Sequence, residues 1–129
     1  GAFTPTCSGQ KLPTYDTMFS DMTKEHVDDV YCISVNDAFV MNAWARDLQI
    51  KNVKMIPDGC GTFTRSMGML VNKPAQGFGM RSWRYSALID NMEVKHFNEE
   101  PGYNNASADD DPFEVSDADT MIQQIKEAQ

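Results

Sequence analysis

Cysteine is scarce in this chain: Cys7, Cys32 and Cys60 are its only three. An odd number leaves at least one thiol unpaired in any monomer, and no C-x-x-C spacing occurs. The two histidines, His26 and His96, lie far apart in sequence. These shortages argue against a zinc site, and neither a metal nor an organic cofactor is expected. A Cys–His hydrolase built on Cys7 would need a histidine beside the thiol, and no pattern puts one there. Positive charge is also short, 11 Lys and Arg against 19 Asp and Glu, for a net charge of −8. With the basic residues scattered, nucleic acid is excluded as a partner. No apolar run approaches the roughly 20 residues that span a bilayer, and no charged-then-apolar leader is read, so no membrane is expected. The expected compartment is reducing and cytoplasmic.

An initiator Met is missing too, as is a strand ahead of the first helix. Domains of the α/β class normally launch such a turn from a strand. The expectation is one domain over residues 1–129, truncated at its N-terminus. With 41% hydrophobic residues there is enough apolar material for one sizeable core.

A helix is expected from Thr4 to Leu12, broken or kinked at Pro13 and resuming through Tyr15, Met18, Phe19 and Met22. The β-branched, apolar run Val30 to Val35 reads as a buried strand. Asn36 or Asp37 then caps a helix carrying Phe39, Val40, Ala43, Trp44 and Leu48 at helical spacing. Val53 to Ile56 reads as a strand closed by Pro57-Asp58-Gly59, and Thr62 to Met67 as a short helix ending at Gly68. Pro74, Gly77 and Gly79 mark Asn72 to Gly79 as a loop. Trp83 to Ile89 and Glu93 to Phe97 read as strands joined at Asp90-Asn91. Glu99 to Pro112 is acidic and reads as a solvated loop. Ser116, with Asp119 three residues on, opens a last helix whose apolar face is Met121, Ile122 and Ile125. The order of elements indicates an α/β sandwich around a mixed sheet.

The chemistry concentrates at the start. Thr4 is a natural N-cap and Pro5 suits the first helical position. That puts Cys7 near the third helical residue, where unpaired N–H groups and the helix dipole favour an anion. An ordinary cysteine is only about 3% ionised at pH 7, whereas one lowered to about 6 is about 90% thiolate. A buried structural cysteine beside an ordinary cap fits the local pattern equally well.

Three separated segments agree on a family. Gly1-Ala2-Phe3-Thr4-Pro5-Thr6-Cys7-Ser8, Ser34-Val35-Asn36-Asp37-Ala38-Phe39-Val40, and Gly77-Phe78-Gly79 followed by Arg81-Ser82-Trp83-Arg84-Tyr85-Ser86 resemble the type-five peroxiredoxins. In particular they resemble the peroxidase domain of bacterial peroxiredoxin–glutaredoxin fusions. The resemblance runs from Gly1 to about Ile125. It implies a thioredoxin-like α/β fold, with a central mixed sheet flanked by helices and its N-terminal strands missing here. It further implies a peroxidatic cysteine at Cys7, the motif threonine at Thr4 and a guanidinium above the thiolate at Arg84. The motif's proline would fall immediately before Gly1, and no resolving cysteine stands in Asp111 to Ser116.

The function implied is a one-cysteine thiol peroxidase acting on hydrogen peroxide and organic hydroperoxides. Cys7 would become a sulfenic acid, recycled by glutathione, a glutaredoxin or another external thiol, and the resemblance also implies a two-fold homodimer. A redox sensor or relay passing oxidation to a partner protein is the alternative. Arg81 takes a supporting role, and Phe3 and Trp83 are packing or dimer-contact residues. Cys32, within a strand, is expected to be inert core. Cys60 is expected to be exposed, and His26 and His96 to be surface or partly packed side chains.

Overall fold

The computed structural model of the protein describes residues 1–103 and 111–128. Helical structure starts at Pro5 and passes at Cys7–Lys11 into a π-helical turn, in which the Leu12 N–H reaches the Cys7 carbonyl. It then continues as α1 (Leu12–Thr17). Pro13 therefore does not break the helix as expected. In an α-helix its ring would crowd the carbonyl four residues back, and the wider turn just ahead relieves that crowding. The break falls instead at Met18 (φ −88°, ψ 5°), before α2 (Phe19–Lys24).

Strand β1 (Tyr31–Ser34) leads through α3 (Ala38–Asp47) to β2 (Lys54–Pro57), and β1 and β2 pair in parallel with Cys32 opposite Met55. Asp37 caps α3 by accepting from the Val40 N–H at 2.8 Å. Met41 and Trp44, three apart and so on one face, are buried against Leu12 and Val53. Cys7 packs at the margin of this cluster. Trp44 Nε1 donates to Ser8 Oγ at 2.9 Å, tying α3 to the turn that carries the thiol.

Helix α4 (Thr62–Ser66) follows a left-handed Gly61 (φ 69°), where a Cβ would stand 3.3 Å from Leu70 Cδ1. Two antiparallel hairpins come next: β3 (Leu70–Lys73) with β4 (Gly79–Ser82), and β5 (Tyr85–Asp90) with β6 (Glu93–Glu99). Helix α5 (Ala118–Glu127) closes the chain, its Met121, Ile122 and Ile125 packed with Met22 and Leu88.

Parallel and antiparallel pairing thus coexist, as expected of a mixed α/β fold. Among the described residues the strands pair two by two, β1 with β2, β3 with β4 and β5 with β6.

Several expectations need correcting. Residues 72–79 are not all loop, because Leu70–Lys73 and Gly79–Ser82 form a hairpin around the turn at 74–78. Trp83 and Arg84 precede β5 rather than opening it. The β5–β6 turn is Asn91-Met92, both in the left-handed region (φ 51° and 69°), as a tight hairpin turn requires. Asp117, not Ser116, caps α5, accepting from the Thr120 N–H at 3.1 Å. The stretch from Glu99 to Pro112 is not uniformly solvated: Glu100 is 0% exposed. Its part at 104–110 lies outside the described residues.

Three carboxylates staple this fold through backbone N–H groups. Asp16 takes those of Lys51, Asn52 and Val53, at 3.1, 2.8 and 2.9 Å. Asp58 takes those of Phe63 and Thr64 together with the Thr64 hydroxyl. Glu100 takes those of Glu114, Val115 and Ser116 with the Ser116 hydroxyl. Burial pushes each acid up, but these hydrogen bonds outweigh it and hold all three below the usual carboxylate range. On acidification the unfolded chain therefore takes up protons first. The stabilisation is whole above about pH 5 and is lost as pH falls through the folded values. Urea unfolding should show stability dropping below about pH 4. Asp58→Asn should cost about 1–3 kcal/mol at pH 7, where it leaves N–H donors unpaired, and should show a shallower acid decline.

Candidate active site

Cys7 is the third residue from the helical start at Pro5, as the sequence indicated, and opens the π-helical turn. Thr4 does not cap this helix through its side chain. Its hydroxyl donates back to the Gly1 carbonyl at 2.6 Å and also lies against the sulfur. The third predicted residue arrives from 77 positions further along the chain: Arg84 Nη2 stands 3.8 Å from Cys7 Sγ. The structure thus brings together Thr4, Cys7 and Arg84.

Burial pushes the Cys7 thiol up, yet the N-terminal ammonium, the Arg84 guanidinium and the Thr4 hydroxyl overcome it and bring the pKa to about 6. The ammonium of Gly1 lies 3.2 Å from the sulfur. In a chain with a residue ahead of Gly1 the same nitrogen would be a peptide N–H, which keeps a donor and loses the charge.

Arg84 is held from several directions. Nη1 donates to the Pro112 carbonyl at 2.6 Å, and Nη2 pairs with Asp111 Oδ1 at 2.6 Å. The Phe113 ring lies 5.7 Å from the guanidinium carbon. Burial alone would lower the pKa of Arg84, but the Cys7 thiolate and Asp111 raise it, so the side chain stays cationic. Nε is buried and has no hydrogen-bond partner among the described residues. With its side chain only 11% exposed, Arg84 works in surroundings that screen charge far less than water does.

Two further groups belong here that sequence reasoning did not single out. Lys11, one helical turn beyond Cys7, donates to the Tyr85 carbonyl at 2.8 Å. Burial pulls its pKa down to about 8, against the opposing pull of the Cys7 charge. Spacing four residues from Cys7 was the available signal. Asp111 had none: it bridges Arg84 to Thr6, whose hydroxyl donates to Oδ2 at 2.7 Å, across 105 positions of sequence.

The remaining candidates fall elsewhere. Arg81 donates from Nε to the Phe78 carbonyl and from Nη1 to the Val35 carbonyl, at 3.0 and 3.2 Å, which fixes the loop as a supporting role requires. Trp83 is buried and donates to the Glu100 carbonyl at 2.7 Å, whereas Phe3 is 52% exposed. Cys32 is pushed up to about 11, by burial first and by the Cys7 charge second, and Cys60 is exposed. His26 is exposed and His96 half-buried on β6. No cluster of metal-ligating side chains occurs among the described residues, and no described helix is long and apolar enough to cross a membrane.

An acidified thiol at a helix start, with a buried guanidinium beside it, is an arrangement for attack on an electrophilic oxygen. The redoxin family model matches residues 1–122. A peroxiredoxin of Rhizobium etli is 51% identical over 126 residues, 98% of this chain and 70% of that protein. A hybrid peroxiredoxin of Haemophilus influenzae is 51% identical over 125 residues, 97% of this chain and 50% of that protein. Among solved structures, the reduced peroxiredoxin of Vibrio vulnificus in complex with hydrogen peroxide aligns with a TM-score of 0.87 at 37% identity. That alignment covers 97% of this chain and 73% of the other. The chain belongs to the redoxin family and, within it, to the type-five peroxiredoxins, thiol peroxidases of thioredoxin-like fold.

Because the thiolate is the form above the pKa, alkylation of Cys7 by iodoacetamide should rise through a midpoint near pH 6 and level off above it. Peptide mass mapping should find Cys32 unlabelled until the chain is denatured. Adding one residue ahead of Gly1 should move the Cys7 midpoint upward.

Proposed function

We propose that Cys7 is the peroxidatic residue of a one-cysteine peroxidase acting on hydrogen peroxide and small organic hydroperoxides. The observation that carries this reading is the buried Arg84 guanidinium 3.8 Å from the sulfur. The thiolate attacks the nearer peroxide oxygen, an S–O bond forms as the O–O bond breaks, and the electron pair leaves on the far oxygen. That oxygen takes up a proton and departs as water or an alcohol, leaving a sulfenic acid at Cys7. Low pKa alone makes a mediocre nucleophile, because intrinsic reactivity falls with basicity. The rate therefore depends on donors aimed at the developing charge, a role we assign to Arg84 and the Thr4 hydroxyl.

Recycling is assigned to an external thiol, glutathione or a glutaredoxin. Cys32, at about 11, is a poor resolving thiol near neutral pH. The relative from Haemophilus influenzae, a hybrid by name, has half its length outside the part matched here. A reducing, cytoplasmic setting suits the three free thiols.

We further assign the protein to a homodimer. The segments bearing Phe3, Phe39 and Phe78 meet where Ala2 N–H donates to Asn36 and Arg81 donates to Val35, and the three rings are 52%, 85% and 37% exposed. Light scattering at micromolar concentration should give twice the monomer mass, and Phe39→Asp should return it to the monomer.

With peroxide and glutathione, Cys7→Ser should abolish turnover, while Cys32→Ser and Cys60→Ser retain most of it. A protein that oxidises once and then stalls is a sensor or relay rather than a peroxidase. Arg84→Ala should lose about a hundred-fold or more in the rate of Cys7 oxidation beyond its loss of thiolate. Raising the pH should restore the thiolate without restoring that rate. Recovery of the rate at high pH would reduce Arg84 to a tuner of acidity.

A further inference from the structure

The buried carboxylate of Glu100 lies outside the reacting groups, yet it closes a ring of contacts around Arg84. Its own N–H donates to the Arg84 carbonyl at 3.1 Å, so the two residues face each other where β6 ends and β5 begins. Its carbonyl accepts from Trp83 Nε1 at 2.7 Å, holding the residue before Arg84. Its carboxylate then gathers the N–H groups of Glu114, Val115 and Ser116 at 2.7, 3.0 and 2.8 Å, and the Ser116 hydroxyl at 2.6 Å. That gathered segment presents Asp111 and the Pro112 carbonyl, the two acceptors that grip the guanidinium. One residue thus fixes the main chain of Arg84 on one side and, through 111–116, its side chain on the other. Tyr15 Oη donates to the Ser116 carbonyl at 2.8 Å and anchors only the end of the segment away from Arg84.

From this ring we infer that Glu100 is a positioning residue for peroxide reduction: it sets the guanidinium against the Cys7 sulfur without touching either. The inference rests on the reading of Arg84 given above. An uncharged amide at position 100 keeps one acceptor oxygen but turns its NH2 group towards the donors the other oxygen had gathered, and releases those. The guanidinium would then lose the geometry on which a preorganised donor depends.

The test is a double-mutant cycle on the second-order rate of Cys7 oxidation by hydrogen peroxide, read by stopped-flow tryptophan fluorescence or by intact mass after quenching. The thiolate midpoint and melting temperature are measured in parallel. Glu100→Gln alone should slow oxidation by about ten-fold and raise the Cys7 midpoint, whereas in an Arg84→Ala background it should change the rate less than about two-fold. Glu100→Asp, which keeps the charge and shortens its reach, should fall between the wild type and Glu100→Gln, and it serves in the same cycle if Glu100→Gln does not fold. A purely structural role would lower the melting temperature and slow both backgrounds equally, and equal slowing overturns the inference. If Arg84→Ala itself reacts at the wild-type rate, the assignment of Arg84 fails and that of Glu100 fails with it. Equal slowing beside an impaired Arg84→Ala overturns Glu100 alone.

Discussion

A thiolate held partly out of water costs free energy unless a positive charge comes out of water with it. Cys7 sits at the margin of the Leu12, Met41, Trp44 and Val53 core, where burial by itself would keep the thiol protonated. The Gly1 nitrogen, Arg84 and the Thr4 hydroxyl together reverse that, and Arg84 does its part from a site that is itself nearly closed to solvent. The pairing is therefore mutual: the thiolate helps keep the guanidinium charged, and the guanidinium helps keep the sulfur ionised. Much of the architecture serves to hold these two charges in register, from the Trp44 link to Ser8 on one side to the Pro112 carbonyl on the other.

Arg84 does not belong to Cys7 alone. Asp111 pairs with the same Nη2 nitrogen at 2.6 Å, so the thiolate shares its cation with a carboxylate. A second anion so near weakens the acidifying effect of the arginine but fixes where its N–H groups point. Orientation has been gained at some expense in acidity, which suits a nucleophile that should not become too weakly basic.

Much of this was legible from local pattern. The β1–α3–β2 unit follows from an apolar β-branched run, an Asp cap and a helical apolar period, all of them short-range signals. Cys7 was legible from Thr4 and Pro5 as the opening of a helix, although Thr4 turned out to bond backwards to Gly1. Arg84 became a candidate only through family resemblance, because nothing local distinguishes it from a surface arginine. The β3–β4 hairpin was hidden by Pro74, Gly77 and Gly79, which mark its turn and, in strands this short, obscure what flanks it. Glu100 and Asp111 were hidden by their own neighbours: in an acidic run every carboxylate looks solvated, and their partners are brought in only by tertiary folding. Periodicity cannot reveal a π-helical turn either, since one extra residue per turn reads as noise in a window of ten.

That turn has a geometric consequence. An α-helix advances about 100° per residue, so absorbing one additional residue between Cys7 and α1 rotates everything before it by roughly that angle relative to everything after. Leu12 stays seated on the core while the sulfur is phased round towards Arg84, just ahead of β5. Were the same sequence wound as a regular helix from Pro5 to Thr17, Leu12 and Cys7 could not both keep their present bearings. The meeting of sulfur and guanidinium is thus a matter of winding number as much as of chemistry.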